Sequence, residues 1–287
     1  MSPLRIVILT TLAMLAFAGN SLLCRLALKH TGIDPASFTA IRLVAGAVTL
    51  FLIVKLRRTA RTAVMGQGNW LSAFALFAYA AGFSFAYVSL TAATGALLLF
   101  GAVQATMISH GVWAGERLRG LQLLGLLLAF GGMVGLLLPG LAAPPLLGSI
   151  LMLVAGVAWG FYSLRGKGAG DPTGVTAGNF MRAAPMALVL SLVMLSQPEV
   201  RASLDTVGFG YALASGALTS GIGYAIWYTA LPALKATQAA TVQLSVPVIA
   251  ALGGIVFLGE ALTLRLMLAS LAILVGIALV ILERRQV

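Results

Sequence analysis

The sequence predicts an all-α integral membrane protein in which ten transmembrane helices form two inverted five-helix repeats. Three observations predict it. The chain is 60% apolar and only 9% charged, with a mean hydropathy of +1.04, where soluble domains carry roughly 25% charged and 45–50% apolar residues. Ten apolar runs near the length of about 20 residues that a bilayer requires follow one another almost without pause. Arginines inside these runs recur at one fixed offset between the two halves.

Breaks that are charged or rich in Gly and Pro bound the runs in order. The first, 4–28, starts beside Arg5 and passes through Ala16-Phe17-Ala18, which imitates a signal-peptide cleavage site; the apolar run continues to Leu28, too long for a signal peptide. Cys24 lies in this run as a small apolar residue, and a single cysteine excludes an internal disulfide or a cysteine-built zinc site. The runs 35–55 and 69–90 flank the longest hydrophilic stretch, Lys55 to Asn69, which is too short for a soluble domain. Next come 93–115, ending at Gly115-Glu116, then 120–139, 146–166, 173–196 and 206–231. The last two are 236–258, which contains Pro247 and ends before Gly259-Glu260, and 263–282.

With the N-terminus inside, the cytoplasmic segments hold Arg5, Lys55, Arg57, Arg58, Arg61, Arg117, Arg119, Lys167, Lys235, Arg284 and Arg285, and the outer segments only Lys29, Arg201 and Arg265. Eleven against three places both termini in the cytoplasm and the protein in the cell (inner) membrane. The net charge of +11 is thereby explained without nucleic acid, for which no basic stripe interleaved with aromatics exists.

The first repeat covers 1–140 and the second 141–287. A shift of 140 puts Ala18 on Ala158, Arg25 on Arg165, Arg42 on Arg182 and Ala47 on Ala187; a shift of 144 puts Gly115-Glu116 on Gly259-Glu260, Leu118 on Leu262 and Gly132 on Gly276. Five spans per half is an odd number, so the halves enter the membrane from opposite sides, and inverted repeats of this kind hold their ligand near the midplane. Small-residue pairs (Gly111 with Gly115, Gly131 with Gly135, Gly156 with Gly160) are expected to let helices approach closely.

The stretch from Ala230 to Leu279, ALPALKATQAATVQLSVPVIAALGGIVFLGEALTLRLMLASLAILVGIAL, resembles the last two helices of EamA-type members of the drug/metabolite transporter superfamily, and Thr94 to Leu138 looks like the same pattern in the first half. One departure is that Pro247 has no counterpart in helix 4, where Val103-Gln104 stand. The aromatic-rich interior is most similar to the YddG-type exporters of amino acids. The resemblance implies a secondary carrier exporting small metabolites from the cytoplasm by alternating access, with helices 3, 6 and 8 lining a central cavity and helices 2 and 7 outside it. Exporters of hydrophobic compounds are the alternative; a channel lacks a ring of charges or a repeated carbonyl filter.

Enzymatic chemistry is not expected. The seven acidic residues all lie at helix ends or in loops, His30 and His110 stand on different helices without a carboxylate at ligand spacing, and no phosphate-binding glycine loop is present. No cofactor or metal is implied; the partners are a small-molecule cargo and lipid. Because no carboxylate lies inside a span, transport is expected to be facilitated rather than ion-coupled, with His110 as the one deep titratable base available for coupling.

Tyr79, Phe83 and Tyr87 share a face of helix 3, Trp159 and Tyr162 are three apart on helix 6, and Tyr224, Trp227 and Tyr228 gather on helix 8. Such spacing serves packing as readily as binding. The deep phenols and indoles need polar partners, and the resemblance places their helices centrally. Trp159, Tyr162, Tyr79, Phe83, Tyr224 and Trp227, with the polar Asn20, Gln104 and Gln243, are therefore the candidate binding residues. Pro247 is the candidate hinge, and its missing N–H frees the Gln243 carbonyl. Arg182 is read as lying near the midplane and Arg42 as near enough to an outer end to snorkel. Each could hold a ligand carboxylate or anchor to backbone carbonyls; the resemblance favours the anchor. Glu116 and Glu260 are expected to cap helices 5 and 10.

The charge bias yields a first test. In a Cys24→Ala background, cysteines placed near Arg58 are expected to resist an impermeant thiol reagent applied to intact cells. Labelling there from outside would overturn the topology.

Overall fold

The computed structural model describes residues 1–57, 67–113, 115, 120–140, 143–166, 170–197, 205–234, 239 and 242–283, and all regular structure among them is helical. The helices are α1 (Pro3–His30), α2 (Pro35–Leu56), α3 (Trp70–Tyr87), α4 (Ala92–Trp113), α5 (Gly120–Leu137), α6 (Leu146–Gly166), α7 (Pro172–Leu195), α8 (Thr206–Ala214), α9 (Gly223–Ala230), α10 (Ser245–Leu258) and α11 (Leu264–Glu283). Arg58, Arg61, Glu116, Arg117, Arg119, Lys167, Arg201, Lys235, Arg284 and Arg285 lie outside the described residues.

Local chemistry sets the helix starts. Asp34 Oδ1 accepts from the backbone N–H of Ala36 and Ser37 at 3.0 and 2.9 Å, and Pro35 opens α2. Asp171 caps α7 in the same way ahead of Pro172, Asp205 caps α8, and Asn69 caps α3. Each such cap satisfies donors that have no intrahelical acceptor and contributes about 1 kcal/mol. Asp34, Asp171 and Asp205 thus each cap the helix that follows them.

Among the described residues eight helices are long and apolar enough to cross a membrane, and the other two spans are interrupted. The eighth runs from α8 through a π-helical stretch, Ser215–Ile222, into α9. The ninth was expected to be continuous over 236–258. Its chain turns at Leu244, and α10 begins at Ser245, which places Pro247 in a first helical turn. A proline there costs no intrahelical hydrogen bond, whereas in mid-helix it would lose one and clash with the preceding turn. The helix therefore restarts just ahead of its proline.

The packing is that of inverted repeats. The second and seventh spans, α2 and α7, pack on each other, as do the fifth and tenth, α5 and α11. Contacts of α3 and α4 of the first repeat with α6 of the second are matched by contacts of α8, α9 and α10 of the second with α1 of the first. Span ends meet as odd-numbered halves require: Arg25, Tyr87, Ala92 and Glu260 gather at one face, and Arg57, Asn69, Arg165 and Thr173 at the other. Large apolar side chains such as Leu124, Leu127, Leu192 and Val256 cover the outside. Mutual burial of polar backbone within helices leaves only apolar surface for the lipid.

Small residues set the closest approaches. A Cβ added at Gly276 would stand 2.6 Å from Ala129 N, and one at Gly156 2.6 Å from both Ala102 Cβ and Leu99 O. The expected pair Gly156 and Gly160 does line such a seam, between α6 and α4, but Gly131 and Gly135 face open space; Gly125 and Gly132 hold the α5–α11 seam instead. Gly276→Leu is accordingly expected to lower thermal stability by about 1–3 kcal/mol through overpacking. Gly131→Leu, with nothing within 4 Å of its added Cβ, is expected to leave stability unchanged. Unfolding of both variants in detergent checks the contrast.

Candidate functional site

Spacing on three helices brings the aromatic residues to one point. Trp159 of α6 lies 4.8 Å from the Tyr79 ring of α3, 5.2 Å from Tyr224 of α9 and 5.4 Å from Tyr162 one turn along its own helix. Phe83 sits 5.5 Å from Tyr79, and Phe17 of α1 meets Tyr224 and Trp227 edge-on at 5.7 and 5.9 Å. Offset and edge-to-face pairs of this kind contribute about 0.5–1.5 kcal/mol each beyond burial.

A polar group borders the cluster. Asn20 on α1 accepts at Oδ1 from the hydroxyls of Ser215 (2.6 Å) and Thr219 (3.2 Å), and its Nδ2 donates to the Tyr79 hydroxyl oxygen at 3.4 Å. Both hydroxyls belong to the π-helical stretch, and the Thr219 proton is shared between Asn20 and the Ser215 carbonyl at 2.7 Å. The Tyr79 oxygen accepts a second bond, at 3.0 Å, from Nη2 of Arg42. Arg42 is 1% exposed, and its guanidinium lies 5.2 and 4.9 Å from the Tyr79 and Phe83 ring centres. The expectation that it snorkels toward an outer end is corrected: α2 is turned inward, and its arginine is held by rings and hydroxyls. An arginine at a helix centre costs about 2.5–3.5 kcal/mol on insertion scales, so these partners offset a real penalty.

The space between these groups is small. A cavity of about 20 Å³ is lined by Phe17, Asn20, Ser21, Tyr79, Phe83, Leu99, Phe100, Trp159, Thr219 and Tyr224, enough for about one water molecule. Five of the nine sequence candidates meet there: Trp159, Tyr79, Phe83, Tyr224 and Asn20. Tyr162 stacks on Trp159, but its hydroxyl turns away to Thr176 and Asn179 at 3.5 Å. Trp227 is buried one layer out against Phe17; Gln104 is buried on α4 and Gln243 half-buried before α10, and neither lines the cavity. Sequence reasoning missed Phe17, Ser215 and Thr219; the pairing of hydroxyls four apart on one span was the available signal.

His110 occupies a different place. It is exposed near the end of α4 and lines a crevice of about 830 Å³ between α4, α5, α6 and α11, whose walls are nearly all apolar, among them Trp113, Phe130, Met133 and Phe161. It is not the deep base read from the sequence.

At the other end of the bundle the two halves are fastened. Arg25 Nε meets Glu260 Oε1 at 3.1 Å, and Arg25 Nη1 donates to the carbonyls of Tyr87 and Val88 at 2.9 and 3.0 Å. Glu260 Oε2 accepts from Ala92 N at 2.8 Å. The expected cap on the tenth span is thus corrected: Glu260 caps α4, in the opposite half, because its αL turn at Gly259 (φ 61°) directs it across the interface. Arg182 lies against the connection between α2 and α3 rather than in the centre, donating to the carbonyls of Gln67 (2.6 Å) and Gly178 (2.9 Å).

A multi-pass bundle of inverted repeats with a buried, partly polar aromatic centre is the architecture of a membrane carrier. The chain belongs to the EamA-like transporter family, which it matches over residues 4–138 and 146–282. An uncharacterized protein of Pseudomonas aeruginosa is 59% identical over 98% of this chain and 96% of its own. An uncharacterized transporter of Bacillus subtilis, YoaV, is 26% identical over 85% of this chain and 86% of its own, and one of Archaeoglobus fulgidus 28% identical over 62% and 63%. A crystal structure of a protein 22% identical in sequence superposes over the whole of both chains with a TM-score of 0.69. The protein is a multi-pass membrane transporter.

Breaking a buried ion pair by neutralising one partner costs about 3–5 kcal/mol, and the side chains of Arg25 and Glu260 are 11% and 5% exposed. Glu260→Gln and Arg25→Gln are each expected to lower thermal stability, and the double variant by less than their sum. Additive losses in this cycle would show that the pair is not coupled.

Proposed function

We propose that the protein exports small metabolites, foremost aromatic and other apolar amino acids, from the cytoplasm across the inner membrane, with both termini cytoplasmic. The observation that carries this reading is Trp159, which touches aromatic residues of α3, α6 and α9 beside the buried polar Asn20. An apolar pocket with a few fixed polar groups suits a small amphipathic molecule. The repeats, divided near residue 140, supply the two parts that alternating access moves against each other. Arg25 and Glu260 then close the outer face, and the 20 Å³ cavity is the site in its contracted state, which widens to admit cargo. Pro247, at the break before α10, is the hinge. Gln104, Gln243 and Tyr162 join the site only in the widened state.

Transport is facilitated: among the described residues no carboxylate lies between Trp159 and Arg42, and His110 stands in the crevice away from them. The crevice, apolar and about 830 Å³, favours a second reading, an exporter of larger hydrophobic compounds.

Counterflow in liposomes clamped at equal pH and free of sodium tests both. Wild type is expected to exchange phenylalanine and alanine under these conditions. Trp159→Ala and Tyr224→Ala are expected to weaken phenylalanine several-fold, a loss of about 0.5–1.5 kcal/mol of ring contact, and alanine less. Strict dependence on a proton or sodium gradient would refute facilitation. Wild-type rates for both amino acids in both variants would assign the aromatics to packing.

A further inference from the structure

Arg42 and Arg182 occupy the same position in the two repeats, 140 residues apart, yet their charges are met differently. Arg182 gives protons to two backbone carbonyls, which carry strong partial negative charge. Arg42 finds only hydroxyl oxygens, those of Tyr79 at 3.0 Å and Ser220 at 3.3 Å, and its Nη1 has no partner although buried. Among the described residues no carboxylate pairs with it; the one ion pair there joins Arg25 and Glu260. A second donor stands beside the first. The Tyr79 oxygen accepts from both Arg42 and Asn20, and its hydroxyl also meets that of Tyr224, a partner that a ligand oxygen would replace.

A guanidinium cannot shed its proton in a protein, and a buried charge is paired or bound to a ligand. Arg42 therefore stands at the edge of the aromatic cluster as a fixed cation short of an anion. It lies behind the Tyr79 and Phe83 rings and does not line the contracted cavity. The opposing charge thus reaches it only when the Tyr79–Asn20 edge opens. Arg25, the neighbouring buried arginine of the same half, is already neutralised by Glu260, which leaves one positive charge to be matched. One charge fits a monoanion rather than a phosphate dianion, and planar donors on one guanidinium fit a carboxylate.

We propose that Arg42, with the Tyr79 hydroxyl, anchors the carboxylate of the transported molecule, so that the cargo class is monocarboxylates with an aromatic or apolar body. This rests on the aromatic cluster being the cargo site, and it narrows that reading: the carboxylate is required and the ammonium of an amino acid is not. Arg42 is then a specificity-determining residue, where a purely structural arginine would affect acid and amide cargo alike.

The test compares phenylalanine, 3-phenylpropionate, phenylalaninamide and 2-phenylethylamine on the full-length protein, by thermal shift in detergent and by competition in proteoliposomes. Wild type is expected to favour the two carboxylates over the amide and amine by about tenfold or more, the order of a charge-assisted hydrogen bond. Arg42→Gln is expected to collapse that ratio to about one, and Arg42→Lys, which keeps the charge without the fork, to restore part of it. If wild type moves phenylalanine and its amide equally well, the carboxylate anchor is refuted while the aromatic site stands. If phenylalanine is not moved but 3-phenylpropionate stabilises wild type and not Arg42→Gln, the anchor stands and the amino-acid reading falls. Equal discrimination in wild type and Arg42→Gln, or no stabilisation of wild type by either carboxylate, overturns the proposal. Should Arg42→Gln fail to fold, the acid-against-amide comparison in wild type alone decides.

Discussion

The centre of this transporter is organised by the demand that a positive charge makes on a medium with almost no water. Arg42 cannot be neutral, cannot reach solvent and, among the described residues, has no acid paired with it. Its surroundings answer with what a membrane bundle has to offer: two π faces, two hydroxyls and an amide one bond further on. Tyr79 is the residue through which these answers connect. Its ring packs at a tilt against Trp159 and its oxygen collects Arg42 and Asn20, so the apolar and polar parts of the site share one side chain.

The end of the bundle that holds Arg25 shows the same demand met the other way. Arg25 has a carboxylate partner, and Glu260 divides its two oxygens between that arginine and the first N–H of α4. One acidic residue thereby neutralises a cation, satisfies a helix terminus and joins the repeats. Its reach across the interface depends on the left-handed turn at Gly259, which ends α10 and reverses the chain within one residue.

The fold was legible because its cause is crude: apolar length, breaks and a recurring arginine are properties of composition and spacing, and the bilayer leaves helices as the only way to bury the backbone. The interruptions were less so. Pro247 marked the ninth span, but its effect on the chain depends on where the helix begins, and that is Ser245, two residues ahead of it. Helical spacing placed Tyr79, Phe83, Trp159 and Tyr224 on usable faces. It could not tell that Tyr162 directs its hydroxyl outward or that α2 turns Arg42 inward, because azimuth about a helix axis is a tertiary property when every face is apolar. Arg42 and Arg182 look alike in sequence and differ only in which acceptors the fold brings within reach. Glu260 was misassigned for a related reason, since proximity along the chain favoured the next helix over one 168 residues away.

The π-helical stretch between α8 and α9 separates two jobs that an unbroken helix would bind together. In a regular helix each residue fixes the direction of every other, because successive side chains advance by a constant angle of about 100°. A wider turn absorbs surplus residues and resets that phase. Ser215 and Thr219 can therefore be dedicated to Asn20 on α1, while Tyr224, beyond the reset, is aimed at Trp159 and Phe180. The two ends of the span are free to diverge in sequence: residues before the reset can be retuned for the neighbouring helix without rotating the aromatic wall. Loss of a single residue within the stretch would swing that wall about a quarter-turn around the helix's own axis.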